Sequence, residues 1–178
     1  MRIRQIAEVA GIDNGTLHYY FPSKEVLIRN VVDYLVRDLT INRSKQANSD
    51  DLTALDELRM EFEDIRRRLH ESPGQFIVLS ELAIRSWRDP EIAKVFKLLD
   101  DGWFAHLTAL LTRGIDERLF RSDLNVALSA KAMMVGLRGI GNHSRLPPCE
   151  IDALVSELAA QTEGWIRAVP ATESRPMS

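Results

Sequence analysis

Apolar residues recur every three or four positions along almost the whole chain, and no stretch alternates for long enough to predict a strand. The pattern predicts an all-α protein with two short helices followed by about six longer ones. Ile3–Ala10 and Asn14–Tyr20 form the short pair, with Gly11-Ile12-Asp13 as the turn between them and Pro22-Ser23 as the break after them. Ile6 and Ala10 share one face of the first helix, and Ala7 is small enough to let another helix cross closely. Gly11 suits the left-handed backbone that ends a helix, and Ile12 and Leu17 supply apolar anchors for the second helix. A pair this short is not stable alone. Its spacing is that of a helix-turn-helix, which presents its second helix to a DNA major groove.

The longer helices follow from punctuation and periodicity. Ser23 can cap a helix from Lys24 to about Asn42, with Val26, Leu27, Val31, Leu35 and Leu39 as its apolar stripe. Residues 44–51 are polar and predict a loop, after which Asp51 can cap a helix from Leu52 to about His70. The run Arg66-Arg67-Arg68 in that helix predicts a solvated face. Ser72-Pro73-Gly74 breaks the chain, and Gln75–Trp87 follows with Phe76, Leu79, Leu82 and Ala83 inward. Asp89-Pro90-Glu91 starts a long helix to about Glu117, whose buried side carries Val95, Leu99, Trp103, His106, Leu107, Leu110 and Leu111. Asn125 can cap a helix to about Gly139 that is apolar nearly all round. The last helix runs from Glu150 to about Ala168, and the tail from Pro170 predicts disorder.

Charge and composition narrow the function classes. A net charge of −3 argues against non-specific coating of nucleic acid, yet the first 45 residues carry seven basic against five acidic side chains. Cys149 is the sole cysteine, so no internal disulfide and no thiolate metal site is expected, which fits a reducing cytoplasm. No apolar run is long enough to span a membrane. The four histidines show no metal-ligand spacing, and there is no nucleophile elbow, P-loop or dinucleotide fingerprint. Gly136, Gly139 and Gly141 mimic a phosphate loop but sit at a helix end with no strand before them. No catalytic residue, metal or cofactor is therefore expected, and an enzyme is the weakest reading. Asn14, Thr16, His18 and Tyr19, followed by Lys24, favour DNA over an ordinary helical hairpin, because such groups contact phosphates and base edges.

The stretch from Ile6 to Leu27 resembles the DNA-binding signature of TetR-family bacterial regulators. It agrees at Ile6, Ala7, Ala10, Gly11, Gly15, Thr16, Leu17, Tyr20, Phe21, Ser23, Lys24 and Leu27. It departs at Asp13, where the family has Ser, and at His18, where it has Tyr. Asp13 can still cap the second helix but brings negative charge near phosphates. Elsewhere the likeness rests on helical layout and on Asp89-Pro90-Glu91 and Leu119-Phe120-Arg121. The resemblance implies a cytoplasmic homodimer that binds a palindromic operator and a small-molecule effector. It divides the chain into a head with its connecting helix (1–43), a ligand-binding and dimerisation body (44–169) and a tail (170–178). It also implies a helix ahead of this motif, so either the start lies upstream of Met1 or the head lacks that helix and is poorly ordered.

The implied DNA contacts are Arg4, Asn14, Gly15, Thr16, His18, Tyr19 and Lys24. The implied pocket draws on Phe62, Phe76, Leu79, Trp87, Phe96, Trp103, His106 and Leu110, a lining suited to an apolar or aromatic ligand. On its position alone His106 reads first as a satisfied core histidine and second as a polar contact to a ligand. The implied dimer interface is a four-helix bundle using Met133, Leu137, Leu154, Val155, Leu158 and Trp165. The expected function is transcriptional regulation, as a repressor released by ligand. The rival is a dimeric small-molecule-binding or interaction module that does not bind DNA because the first helix is absent.

Overall fold

The computed structural model describes residues 3–23, 25–35 and 52–168, and these are helical apart from short connections. The head holds α1 (Ile3–Ala10) and α2 (Asn14–Tyr20), and α3 covers residues 25–35. The body holds α4 (Ala54–Glu71), α5 (Pro73–Ser86), α6 (Pro90–Asp116), α7 (Val126–Asn142) and α8 (Pro148–Ile166). Among the described residues the only β feature is an isolated antiparallel bridge between Phe120 and Arg167. The expected end of the connecting helix, the 44–51 loop, the Asp51 cap and the tail lie outside the described residues, as does Lys24.

Caps set most boundaries. Thr53 caps α4, and its reciprocal bonds with Asp56 form a capping box. Asp89 accepts from the Glu91 and Ile92 amides ahead of α6, with Pro90 in the first turn. Asn125 accepts from the Leu128 amide, 3.1 Å away. Ser72 alone separates α4 from α5, because a proline is tolerated in a first helical turn where its missing N–H had no partner to lose. Gly136, Gly139 and Gly141 all lie within α7.

Two apolar clusters organise the packing. The larger joins Leu58, Phe62 and Leu69 of α4 to Leu107, Leu110 and Leu111 of α6, Met133 and Leu137 of α7, and Ile151 and Val155 of α8. The smaller joins Val32 and Leu35 of α3 to Leu82 of α5 and Ile92 of α6. The connecting helix is thereby held on the body by buried side chains.

The arginine run is not a uniformly solvated face. Arg68 is 6% exposed, and its Nε lies 2.6 Å from Asp64 Oδ2. Arg67 stays exposed and pairs with Asp64 and Glu71, while Arg66 reaches Ser156 on α8. One turn of α4 therefore carries a buried guanidinium beside an exposed one, because α4 rotates each residue by about 100°.

Candidate nucleic-acid interface and interior cavity

The head is closed by two local devices. Gly11 has φ +67, its N–H donates to the Glu8 carbonyl at 3.2 Å, and the Ile12 N–H donates to the Ala7 carbonyl at 3.1 Å. That pair of bonds is the glycine C-cap in which a left-handed residue satisfies the last carbonyls. Asp13 then caps α2, its Oδ2 accepting from the Thr16 N–H at 2.9 Å. Gly15 makes room for this cap, since a Cβ there would stand 2.8 Å from Asp13 Oδ2. Ala7 and Leu17 are 2% and 3% exposed and form the contact between the two helices. Ile12, expected as an anchor, is instead 42% exposed, because the turn carries it off the helix crossing. Ala10 is exposed as well.

Of the predicted DNA-contacting residues, the six that the structure describes are all exposed. Asn14, Gly15, Thr16, His18 and Tyr19 are all exposed on α2, and Arg4 is exposed on α1. Tyr20, absent from the predicted contacts, is also exposed and packs edge-to-face on Tyr19 with ring centroids 5.2 Å apart. The pair stiffens two amphipathic rings at the end of α2. Ser23 caps α3 through the Val26 N–H at 3.2 Å, fixing how the chain leaves the head.

A cavity of about 360 Å³ opens between α4, α5, α6 and α7. Five predicted residues line it: Phe76, Leu79, Trp87, Phe96 and Trp103. Three do not. Phe62 and Leu110 are in the core cluster, where α4 and α6 meet, and His106 stands behind Glu61 with its Nε2 2.7 Å from Glu61 Oε1. The lining is also more polar than the apolar pattern implied. Glu61, Asp64, Arg68, Asp100 and Arg138 all contribute. Asp64 pairs with Arg68, and Asp100 with Arg138, whose guanidinium also lies 5.5 Å from the Trp103 ring centre. The Ser80 hydroxyl lies 2.7 Å from Asn142 Oδ1 and 2.8 Å from the Phe76 carbonyl. Gly141 brings α7 against Phe76, where a Cβ would come within 2.8 Å of the ring.

The C-terminal helices present a different outer face from the one expected. Met133, Leu137 and Val155 are almost fully buried within the protomer, because α4 and α6 cover that side. Leu154 and Trp165 are exposed and Leu158 is half-buried. Leu128 and Val135, seven residues apart on α7, are 61% and 72% exposed and were not predicted. The residues facing outward are thus Leu128, Val135, Leu154 and Trp165. Among the described residues, no helix is long and apolar enough to cross a membrane, and no cluster of potential metal ligands occurs.

Residues 1–31 match the model of the bacterial regulatory proteins, tetR family. The fold is similar to that of a TetR-family transcriptional regulator from Agrobacterium tumefaciens, at 20% identity, 94% of this chain, 87% of that chain and a TM-score of 0.80. It is similar to a TetR transcription regulator from Haloarcula marismortui at 18% identity, 94% and 88% coverage and a TM-score of 0.78. A protein from Saccharomonospora viridis, crystallised in complex with choline, gives 21% identity, 94% and 88% coverage and a TM-score of 0.75. No curated protein matches the chain.

Proposed function

We propose that this chain, a DNA-binding regulator of the bacterial TetR family, acts as a homodimeric repressor that a small molecule releases from its operator. The observation that carries this reading is a shared wall. Leu79 and Phe96 line the cavity, and the same two side chains pack on the cluster that holds Val32 and Leu35 of α3. One layer of side chains thus separates a bound ligand from the helix that carries the head. A ligand that reshapes this layer shifts α3, and with it the spacing of two heads. Close-packed side chains transmit such a shift because they cannot compress.

In this reading Asn14, Gly15 and His18 lie nearest the bases, while Arg4, Thr16, Tyr19 and Lys24 hold phosphates. Leu128, Val135, Leu154 and Trp165 meet their copies across a two-fold axis. Two heads ~34 Å apart then read a palindrome one helical turn per half-site. Ligand and operator oppose one another by a coupling of ~1–3 kcal/mol. The fold neighbour crystallised with choline supports a small molecule as the kind of effector.

The test is anisotropy of operator fragments, taken from DNA flanking the gene, across a salt series. The chain is compared with a His18→Ala/Lys24→Ala variant. Tight, salt-steep binding that the variant loses at least tenfold is expected. Equal, weak binding by both would discard the DNA-reading function and leave a ligand-binding module.

A further inference from the structure

We infer that the cavity takes an organic cation: an ammonium nitrogen on an apolar frame of about one ring. This rests on the cavity being the effector site and names what that effector carries.

Glu61 is the reason. Carboxylates are almost never buried without a partner, because the charged form loses its water. Glu61 is 5% exposed and lines the cavity. It belongs to a polar seam along which α4 meets α6. In that seam Glu117 accepts from the Ala54 N–H at 2.8 Å, Glu57 lies 2.9 Å from Arg113, and Glu61 lies 2.7 Å from His106. Glu57 and Glu117 both face the permanent cation of Arg113. Glu61, the one member that reaches the cavity, faces an imidazole. An imidazole is not a permanent cation as a guanidinium is, and although His106 Nε2 lies 2.7 Å away, Glu61 Oε1 receives no aligned hydrogen bond.

The other charges in the lining are already matched. Asp64 holds Arg68 at 2.6 Å and also pairs with Arg67, and Asp100 holds Arg138. Asp64 and Asp100 thus each face a guanidinium, and Glu61 is the lining carboxylate that faces an imidazole instead. An anionic ligand that drew Arg68 from Asp64 would strand a buried carboxylate, which costs more than the new pair returns, and Arg138 is already held by Asp100 at the cavity's exposed rim. A neutral ligand would cover Glu61 without compensating it. A cation does both, with a charge-assisted bond to the carboxylate. The remaining walls suit the same chemistry. Phe76, Phe96 and Trp87 add aromatic rings to the lining, a residue type whose π-system attracts an ammonium group, while Arg138 already lies over the Trp103 ring. At the ~30 Å³ that a water occupies, the volume holds about a dozen non-hydrogen atoms.

Three probes of one shape decide this: 3-phenylpropylamine, 3-phenylpropanol and 3-phenylpropionate, titrated into the full chain by calorimetry. The amine is expected to bind at least tenfold tighter than the alcohol or the acid. Glu61→Gln should erase that preference while leaving the alcohol's affinity within about twofold. Glu57→Gln removes a carboxylate from the same seam away from the cavity, so it should keep the preference even where it lowers the melting temperature. If the alcohol or the acid binds as tightly as the amine, or if Glu61→Gln keeps the preference, the cation falls and the cavity stands as a ligand site. If none of the three binds at millimolar concentration, the effector reading of the cavity falls with it.

Discussion

Truncating Leu35 to alanine tests whether α3 is a separable joint between head and body. Leu35 is 4% exposed and packs with Val32, Leu82 and Ile92 in the small cluster, not in the main core. The change removes three buried carbons, worth about 2 kcal/mol of transfer at ~0.8 kcal/mol per methylene. Incomplete collapse of the site raises the cost to about 3 kcal/mol. That loss falls on the docking of α3, because the body keeps its own cluster of α4, α6, α7 and α8 side chains. The three tryptophans, Trp87, Trp103 and Trp165, all lie in the body and report it alone. Urea unfolding followed by tryptophan fluorescence should therefore move little, while the circular dichroism of the head and α3 is lost at lower urea. Operator affinity should fall by about 10- to 100-fold, because only docked heads are correctly spaced. If fluorescence and dichroism instead shift together by ~3 kcal/mol, α3 folds as part of the body, and the joint proposed between cavity and head does not exist.

Four further outcomes follow from single features. Asp13→Ala removes the cap on a seven-residue helix and should cost the head about 1 kcal/mol, whereas Asp13→Ser keeps the cap, drops a negative charge and should tighten operator binding in the anisotropy assay. Gly114→Ala should destabilise by about 1–2 kcal/mol in urea, because its Cβ would sit 2.0 Å from the Phe120 ring and overpacking outweighs the gain in helix propensity; in a Phe120→Ala background the same change should stabilise. Arg118 has φ +60 just after α6, so Arg118→Gly should raise stability by up to about 1 kcal/mol, measured the same way. The Glu163 carboxyl is held below the usual carboxylate range, chiefly by the hydrogen bond from Arg59 and then by the charges of Arg59 and Arg167. A depressed folded-state value gives stability that is present above the unfolded value of ~4.3 and is lost as pH falls through the folded one, so Glu163→Gln should lower the urea midpoint at pH 7 and flatten the acid limb below about pH 5.

What could be read in the sequence was what adjacent residues decide. Gly11, Asp13 and Leu17 fix the head within seven positions, and their bonds all close within one or two turns. Asp89-Pro90 and Asn125 mark helix starts for the same reason. Glu61 was invisible because its meaning depends on His106, 45 residues further along, and on a cavity wall built by three other helices. On periodicity alone a polar residue in an amphipathic helix is assigned to solvent. Arg68 failed for a related reason, though its partner Asp64 stands only four residues away: the pair is visible, but its burial is not.

The outward face of α7 shows the limit most clearly. Met133 and Leu137 sit on one side of that helix and Leu128 and Val135 on another, and all four are apolar. A helix that is apolar all round states that both sides are to be covered, without saying which cover comes from its own chain. The choice is made by α4 and α6, which reach Met133 and Leu137 and leave Leu128 and Val135 bare. Apolar side chains 61% and 72% exposed a turn-multiple apart, together with the exposed Leu154 and Trp165 of α8, are the residues that the proposed dimer would cover. If that surface is closed by a partner, each body is fixed relative to its mate through α7 and α8. Among the described residues α3 is then the joint that can respond to the cavity, and in the proposed dimer a displacement there is expressed as a change in the distance between heads.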